Sequence, residues 1–151
     1  MNRSAAASVA LALLLLPVMS ARAQGPRTVI GPRTSKANPN DPPFSAAVRV
    51  GDTLYISGQI GLGPDRKPPA DVTAEAKLVM DTLKKVLADA QMTPDDLVSV
   101  QIFCSDVKHY DAFNAVYRTY FTREFPARAF LGSGPLLFGA RFEVMGVAVK
   151  R

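Results

Sequence analysis

The C-terminal segment "ARFEVMGVAVK", residues 140–150, predicts a β-strand that is apolar on both faces. Successive side chains of a strand point to opposite faces of the sheet. One face carries Phe142, Val144, Gly146 and Ala148, and the other carries Met145, Val147 and Val149 together with Arg141 and Glu143. A sheet with one face in water alternates apolar and polar residues more cleanly than this. The segment therefore predicts a strand that is covered on both sides.

Hydrophobic periodicity predicts the element order ββ-α-β-α-ββ, which makes an α+β domain with a single sheet. Strand-like runs at residues 45–50 and 53–59 flank a Gly-Asp turn signal, and residues 73–91 carry the apolar stripe of an amphipathic helix. A strand at 97–107, a second helix that begins at 106 or 108, and strands at 125–132 and 140–150 complete the order. Two helices can cover only one face of a sheet. We therefore expect the other face to pack against further copies of the chain, with the sheets facing inward.

The first 23 residues have the layout of a secretory signal peptide. Arg3 supplies the positive charge, residues 9–16 form the apolar run "VALALLLL", and Ala21-Arg22-Ala23 is an A-x-A cleavage site. The alternative is an uncleaved membrane anchor, but the apolar run is too short to span a bilayer as a permanent helix. We expect an exported, periplasmic protein that is cleaved near Ala23 and keeps no permanent membrane anchor.

The residues after the predicted cleavage site divide into two parts. Residues 24–43 are rich in Pro, Gly and Asn and show no period, which predicts a flexible arm or linker. The hydrophobic pattern begins near Phe44, so the folded domain is expected at residues 44–151. This length suits one domain with its own core.

Charge and cysteine content exclude several classes of function. The 151-residue chain has a net charge of +5, which falls to +3 when the two arginines of the predicted signal leave. No basic run alternates with aromatic residues, so nothing indicates nucleic-acid binding. Cys104 is the single cysteine and His109 the single histidine, so neither an internal disulfide nor a zinc-type ligand spacing exists. We expect no metal and no cofactor.

Two charged residues in the last two predicted strands are candidates for chemistry. Arg128 begins the first strand, and Glu143 lies in the second among apolar residues, where an unpaired carboxylate is costly to bury. Residue types alone leave two alternatives, a functional pair or an ion pair formed with each other or with a neighbouring subunit. Ser57-Gly58 also has two interpretations, a close backbone approach to a ligand or a bulge at the strand end.

Four stretches resemble, in order and spacing, the Rid family of YjgF-type reactive intermediate/imine deaminases, once labelled endoribonuclease L-PSP. They are "PFSAAVRVGDTLYISGQIGL", "VSVQIFCSDVKHYDAFNAVYRTYF", "FPARAF" and "GARFEVMGVAV". The resemblance covers about residues 43–151. It implies a chorismate-mutase-like α+β fold with two helices on one face of the sheet. It also implies a homotrimer with three clefts between subunits.

The resemblance assigns roles to the two charged residues. Arg128 stands at the arginine of the family's "PAR" signature, which implies that it binds the carboxylate of a 2-imino acid. A planar guanidinium suits a carboxylate better than an ammonium does. Glu143 stands at the glutamate that positions a water against the imine carbon. The implied function is an exported 2-imino acid deaminase without a metal or cofactor. The alternative is a non-catalytic trimer that binds small carboxylates in the same clefts.

Further positions are implied to contact the substrate. The resemblance places Ser57, Gly58 and Asn114 at the cleft, although a helical Asn more commonly faces solvent. Phe44 and Phe130 stand where many relatives carry tyrosine and cysteine, which predicts a more apolar pocket. Glu75 stands where glutamine is common on the first helix, without an implied role.

Overall fold

Six strands form one mixed sheet in the order β1-β2-β3-β6-β4-β5. The computed structural model describes residues 25–31, 35 and 37–151. All neighbouring strands are antiparallel except β4 and β5, which are parallel. The strands are β1 Arg27–Ile30, β2 Ala47–Val50, β3 Thr53–Ile60, β4 Leu97–Cys104, β5 Ala127–Gly132 and β6 Phe142–Val149.

Two helices pack on one face of this sheet, as the hydrophobic pattern predicts. Helix α1 spans Val72–Asp89 and begins at Asp71, whose Oδ1 accepts a hydrogen bond from the Ala74 N–H at 2.7 Å. Such a cap satisfies one of the unpaired N–H groups of the first turn. Helix α2 spans only Tyr110–Tyr117, because short 3₁₀ turns precede and follow it. Both helices bury their apolar stripes in the same core cluster.

The C-terminal strand β6 lies inside the sheet, between β3 and β4. Its alternation is confirmed, because Phe142, Val144 and Ala148 are fully buried beneath the helices. The opposite face has no covering element in the described part of the chain. A row of paired residues crosses that face, formed by Val29, Val48, Tyr55 and Val147. Tyr55 remains 54% exposed there, so the face is apolar and open in a single subunit.

The segment expected to be a flexible arm contains a strand, so that expectation was wrong for part of its length. Strand β1 pairs antiparallel with β2 along its full length of four residues. A short edge strand between Pro and Gly residues carries too few side chains to show a period. The predicted signal peptide, residues 1–23, lies outside the described residues. Of the helices in the described part, none has the length and apolarity to cross a membrane.

A buried ion pair joins α1 to the beginning of β6. The Glu75 side chain is fully buried, and its carboxylate accepts hydrogen bonds from the Arg141 side chain and from the Arg141 N–H at 2.6 Å. The Arg141 guanidinium also donates to the carbonyls of Pro69 at 2.9 Å and Ala70 at 2.7 Å. The sequence placed Arg141 on the open face beside Glu143, which was wrong. Arg141 precedes the strand, so strict alternation does not govern its side chain.

Candidate functional site

Arg128 is held at the edge of the sheet by two residues of α2. Its Nη1 donates to Asn114 Oδ1 at 2.8 Å, and its Cζ lies 4.7 Å from the ring centroid of Tyr117. Asn114 and Tyr117 are three residues apart and so share one face of the helix. One N–H of the guanidinium is therefore occupied, and its plane rests on an aromatic ring. The solvent-facing alternative for Asn114 is wrong, because its side chain contacts Arg128.

Tyr117 is the residue of this group that the sequence did not single out. Its side chain is 3% exposed, and among the described residues its hydroxyl has no hydrogen-bond partner. Burial raises the pKa of Tyr117 to about 12, against the opposing effect of the nearby Arg128 charge. The hydroxyl is therefore un-ionised at physiological pH. The spacing of three residues between Tyr117 and Asn114, on one face of a predicted helix, was the available signal.

Phe130 lies on the same face of β5 as Arg128. Its ring packs edge-on against Tyr110 at 5.0 Å and Phe113 at 5.8 Å between centroids, and the Arg128 Cζ lies 6.0 Å from its centroid. Phe130 thus belongs to the edge of the core and forms an aromatic wall beside the guanidinium. Its contact with a substrate stays a prediction. We call Arg128, Asn114, Tyr117 and Phe130 the arginine half-site.

A bulge in β3 forms a second group of residues around Glu143. The register between β3 and β6 shifts between Ile56 and Gln59, which places one extra residue in β3. Gly58 lies in this bulge, and a Cβ built on it would be 1.8 Å from Glu143 Oε1. Only glycine leaves room for the carboxylate there. The bulge interpretation of Gly58 is confirmed, whereas its close approach to a ligand stays a prediction.

Ser57 precedes Gly58 within the bulge, and Phe44 lies on the segment that leads into β2. The Ser57 hydroxyl donates to the Ser45 carbonyl at 2.7 Å and so ties β3 to the segment that carries Phe44. The Phe44 ring is 59% exposed and lines an open depression together with Ser57. Substrate contact by either residue stays a prediction. We call Glu143, Gly58, Ser57 and Phe44 the glutamate half-site.

The two half-sites lie on opposite faces of the sheet. In the register of the sheet, Arg128 pairs with Val100 of the intervening strand β4. Glu143 pairs with Phe103 of the same strand. Val100 and Phe103 are three residues apart, so their side chains point to opposite faces. Two strand spacings and three residue steps put the two Cα atoms roughly 14 Å apart. An ion pair between Arg128 and Glu143 of one subunit is therefore excluded, and one ligand can meet both only between two subunits.

No group of three or more His, Cys, Asp or Glu side chains lies close enough together in the described part of the chain to hold a metal ion. Cys104 is fully buried and its Sγ donates to the Asp106 carbonyl at 3.0 Å. It therefore packs as a small core residue.

The sequence profile of the family described as endoribonuclease L-PSP matches residues 35–150. The chain belongs to the Rid family. Among its Rid relatives, mouse 2-iminobutanoate/2-iminopropanoate deaminase is 35% identical over 119 residues, which cover 78% of this chain and 88% of the relative. The mitochondrial protein MMF1 of Saccharomyces cerevisiae is 31% identical over 129 residues, 85% of this chain and 89% of that protein.

Solved Rid structures confirm the fold. The crystal structure of yeast Mmf1 superposes with a TM-score of 0.73 at 29% identity, covering 83% of this chain and all of that one. The structure of E. coli TdcF with bound serine gives a TM-score of 0.72 at 25% identity, covering 82% and 99%. The single mixed sheet with two helices, expected from the resemblance, is therefore confirmed.

Proposed function

We propose that this protein hydrolyses 2-imino acids to 2-oxo acids and ammonia in clefts between the subunits of a homotrimer. The observation that carries the proposal is the division of the family's two charged residues into half-sites on opposite faces of the sheet. Each subunit then offers an arginine half-site to one neighbour and a glutamate half-site to the other. A closed ring of three subunits makes three equivalent clefts.

The open sheet face supports the assembly. Besides Tyr55, the side chains of Val29, Leu131 and Met145 are 37–43% exposed in the single subunit. Soluble monomers rarely leave a contiguous apolar face of this kind in water. Burial of this face against neighbouring copies would bring the β5 edge of one subunit, which carries Arg128, towards the open face of the next, which carries Glu143.

Arg128 is suited to bind the substrate carboxylate. Asn114 takes one of its N–H groups and the Tyr117 ring orients the guanidinium plane, which leaves the other donors free for a carboxylate. The names of two relatives support this ligand class. The mouse relative is named for two imino acids, and TdcF was crystallised with serine, which also carries an α-carboxylate.

Glu143 is suited to activate water. The water oxygen forms a bond to the imine carbon, the π electron pair moves to nitrogen, and the carboxylate accepts the released proton. The resulting carbinolamine re-forms a carbonyl as its carbon–nitrogen bond breaks. Glu143 returns its proton to the nitrogen, and the hydroxyl proton passes to the departing ammonia, which leaves as ammonium beside the neutral 2-oxo group. A protonated imine is electrophilic enough that positioning and general acid–base catalysis supply the required acceleration.

Substitution of the two charged residues tests this proposal. The assay measures ammonia and 2-oxo acid released from imines that an amino-acid oxidase generates in place, alongside calorimetry with a 2-oxo acid. Arg128→Ala removes a charge-assisted contact of roughly 1.5–3 kcal/mol and should weaken binding accordingly, with partial recovery in Arg128→Lys. Glu143→Gln should keep binding but slow hydrolysis by about a hundredfold or more. Glu124→Gln, an exposed carboxylate outside both half-sites, is the matched control.

Two outcomes would replace the proposal. If the wild-type protein binds 2-oxo acids but never accelerates hydrolysis across a broad panel of imines, the non-catalytic binder is the better description. If Arg128→Ala and Glu143→Gln lose assembly while ligand affinity per folded subunit is unchanged, the two residues form an ion pair between subunits.

We also propose that the protein is exported and acts in the periplasm. The support is the layout of residues 1–23, with a basic start, a short apolar run and an A-x-A site. Mass spectrometry of fractionated cells should find a mature chain that begins at or near Gln24. Recovery of the chain with Met1 intact from the cytosol would contradict export.

A further inference from the structure

A small cavity beside Arg128 contains a second arginine. The cavity has a volume of about 170 Å³ and is lined by Asn114, Tyr117, Arg118, Phe125, Pro126 and Arg128. Each water molecule occupies about 30 Å³ in the liquid, so the space holds the equivalent of about six waters. A space of this size can hold a small metabolite. None of these six lining residues is acidic.

Neither guanidinium of the cavity is neutralised within the subunit. The ion pairs of the described residues involve Arg49, Lys77, Lys85, Lys108 and Arg141, so Arg118 and Arg128 have no carboxylate within 4.0 Å. The remaining residues, 1–24, 32–34 and 36, contain no Asp or Glu that could supply one. Two like charges that share a small cavity repel each other, so the cavity favours an anionic occupant.

Aromatic rings orient both guanidiniums. Arg128 Cζ lies 4.7 Å from the Tyr117 centroid, and Arg118 Cζ lies 5.8 Å from the Phe125 centroid. The two rings are themselves stacked, with centroids 6.2 Å apart and planes inclined by 25°. The cavity therefore combines an apolar wall with two cationic groups. That combination fits a molecule with two negative groups joined by a short hydrocarbon chain.

We infer that Arg118 forms a second anion subsite, so the preferred substrates are 2-imino acids whose side chain carries another carboxylate. The inference rests on the proposed function for the reaction, but the ligand class follows from the cavity. Arg128 binds the α-carboxylate, Arg118 binds the side-chain carboxylate, and the Tyr117 and Phe125 rings contact the methylene groups between them.

Calorimetry with two matched product analogues tests the second subsite. The compounds 2-oxoglutarate and 2-oxopentanoate have the same five-carbon chain, and only the first has a second carboxylate. Arg118 is exposed, so its contact gives a modest gain, and we expect 2-oxoglutarate to bind about tenfold more tightly. Arg118→Gln should reduce this ratio to near one by weakening 2-oxoglutarate. Arg123→Gln makes the same charge change outside the cavity and should preserve the ratio.

Three results would overturn the inference. They are equal affinity of the wild-type protein for both acids, an unchanged ratio in Arg118→Gln, or no binding of either acid at millimolar concentration. Imine hydrolysis, measured separately, distinguishes this failure from failure of the proposed function. Deamination without a preference for the dicarboxylate refutes the second subsite alone. A preserved binding ratio without deamination refutes only the catalytic proposal.

Discussion

We predict the largest loss of stability for a variant that breaks the buried ion pair between Glu75 and Arg141. In Arg141→Leu, the Glu75 carboxylate stays fully buried but loses its charged partner. Two backbone donors remain, the Arg141 N–H at 2.6 Å and the Phe142 N–H at 3.3 Å. The guanidinium's bonds to two carbonyls of the preceding loop are lost as well.

The size of the effect follows from the charge that is left behind. Removal of one partner from a buried pair typically costs about 3–5 kcal/mol, because the other charge remains uncompensated. For a domain of this length that cost corresponds to a fall in Tm of roughly 10–20 °C. Glu75→Gln removes the charge and keeps a hydrogen-bond acceptor, so it should cost only about 1–2 kcal/mol. The double variant Glu75→Gln with Arg141→Leu should recover much of the loss of the Arg141→Leu protein.

Chemical denaturation measures the free energy of unfolding of the wild type, the two single variants and the double variant. All four are compared at one subunit concentration, because assembly makes stability depend on concentration. Arg123→Leu is the control, because it removes an exposed arginine and should change stability by less than about 0.5 kcal/mol. A loss below about 1 kcal/mol in Arg141→Leu, or a double variant no more stable than Arg141→Leu, would refute the assignment of a buried charge to Glu75.

Three further predictions follow from single contacts. The methyl group of Gly58→Ala would lie 1.8 Å from Glu143 Oε1 and would displace the carboxylate. Hydrolysis should therefore fall by about a hundredfold, while calorimetry still detects binding of 2-oxo acids. A wild-type rate of hydrolysis in this variant would contradict the prediction. Val147→Asp puts a charge on the open sheet face and should give monomers or aggregates in sedimentation equilibrium, against trimers of the wild type. Cys104 should resist iodoacetamide at pH 8 in the native protein, because the side chain is buried and burial raises the pKa of its thiol. The thiol should react once the protein is unfolded. Rapid labelling of the native protein would show that the thiol is accessible.

The fold was predictable from the sequence to the extent that side-chain periodicity determines it. The alternation of β6 separated its two faces correctly, and the apolar stripe over residues 73–91 identified α1. Strand β1 was missed because four residues are too few for a periodic signal. Arg141 was placed on the wrong face because alternation applies only within the strand.

The geometry of the candidate site was less accessible from the sequence. Arg128 and Glu143 were found as candidates, but their separation depends on the strand order, in which β4 lies between β5 and β6. That order results from the parallel connection between β4 and β5 and is not encoded in any local pattern. The contact between Asn114 and Arg128, the platform of Tyr117 and the pairing of Glu75 with Arg141 likewise join residues that are distant along the chain.

The central position of β6 has a consequence for the time at which the molecule can fold. Strand β6 leaves the ribosome after β3 and β4, the two strands that it joins, so the sheet stays in two pieces until residues 142–149 are available. Synthesis of the earlier residues alone cannot complete the core or place Glu143 beside Gly58. The core therefore stays unfinished until β6 has been synthesised. A stop codon anywhere before residue 142 removes the centre of the sheet rather than its edge.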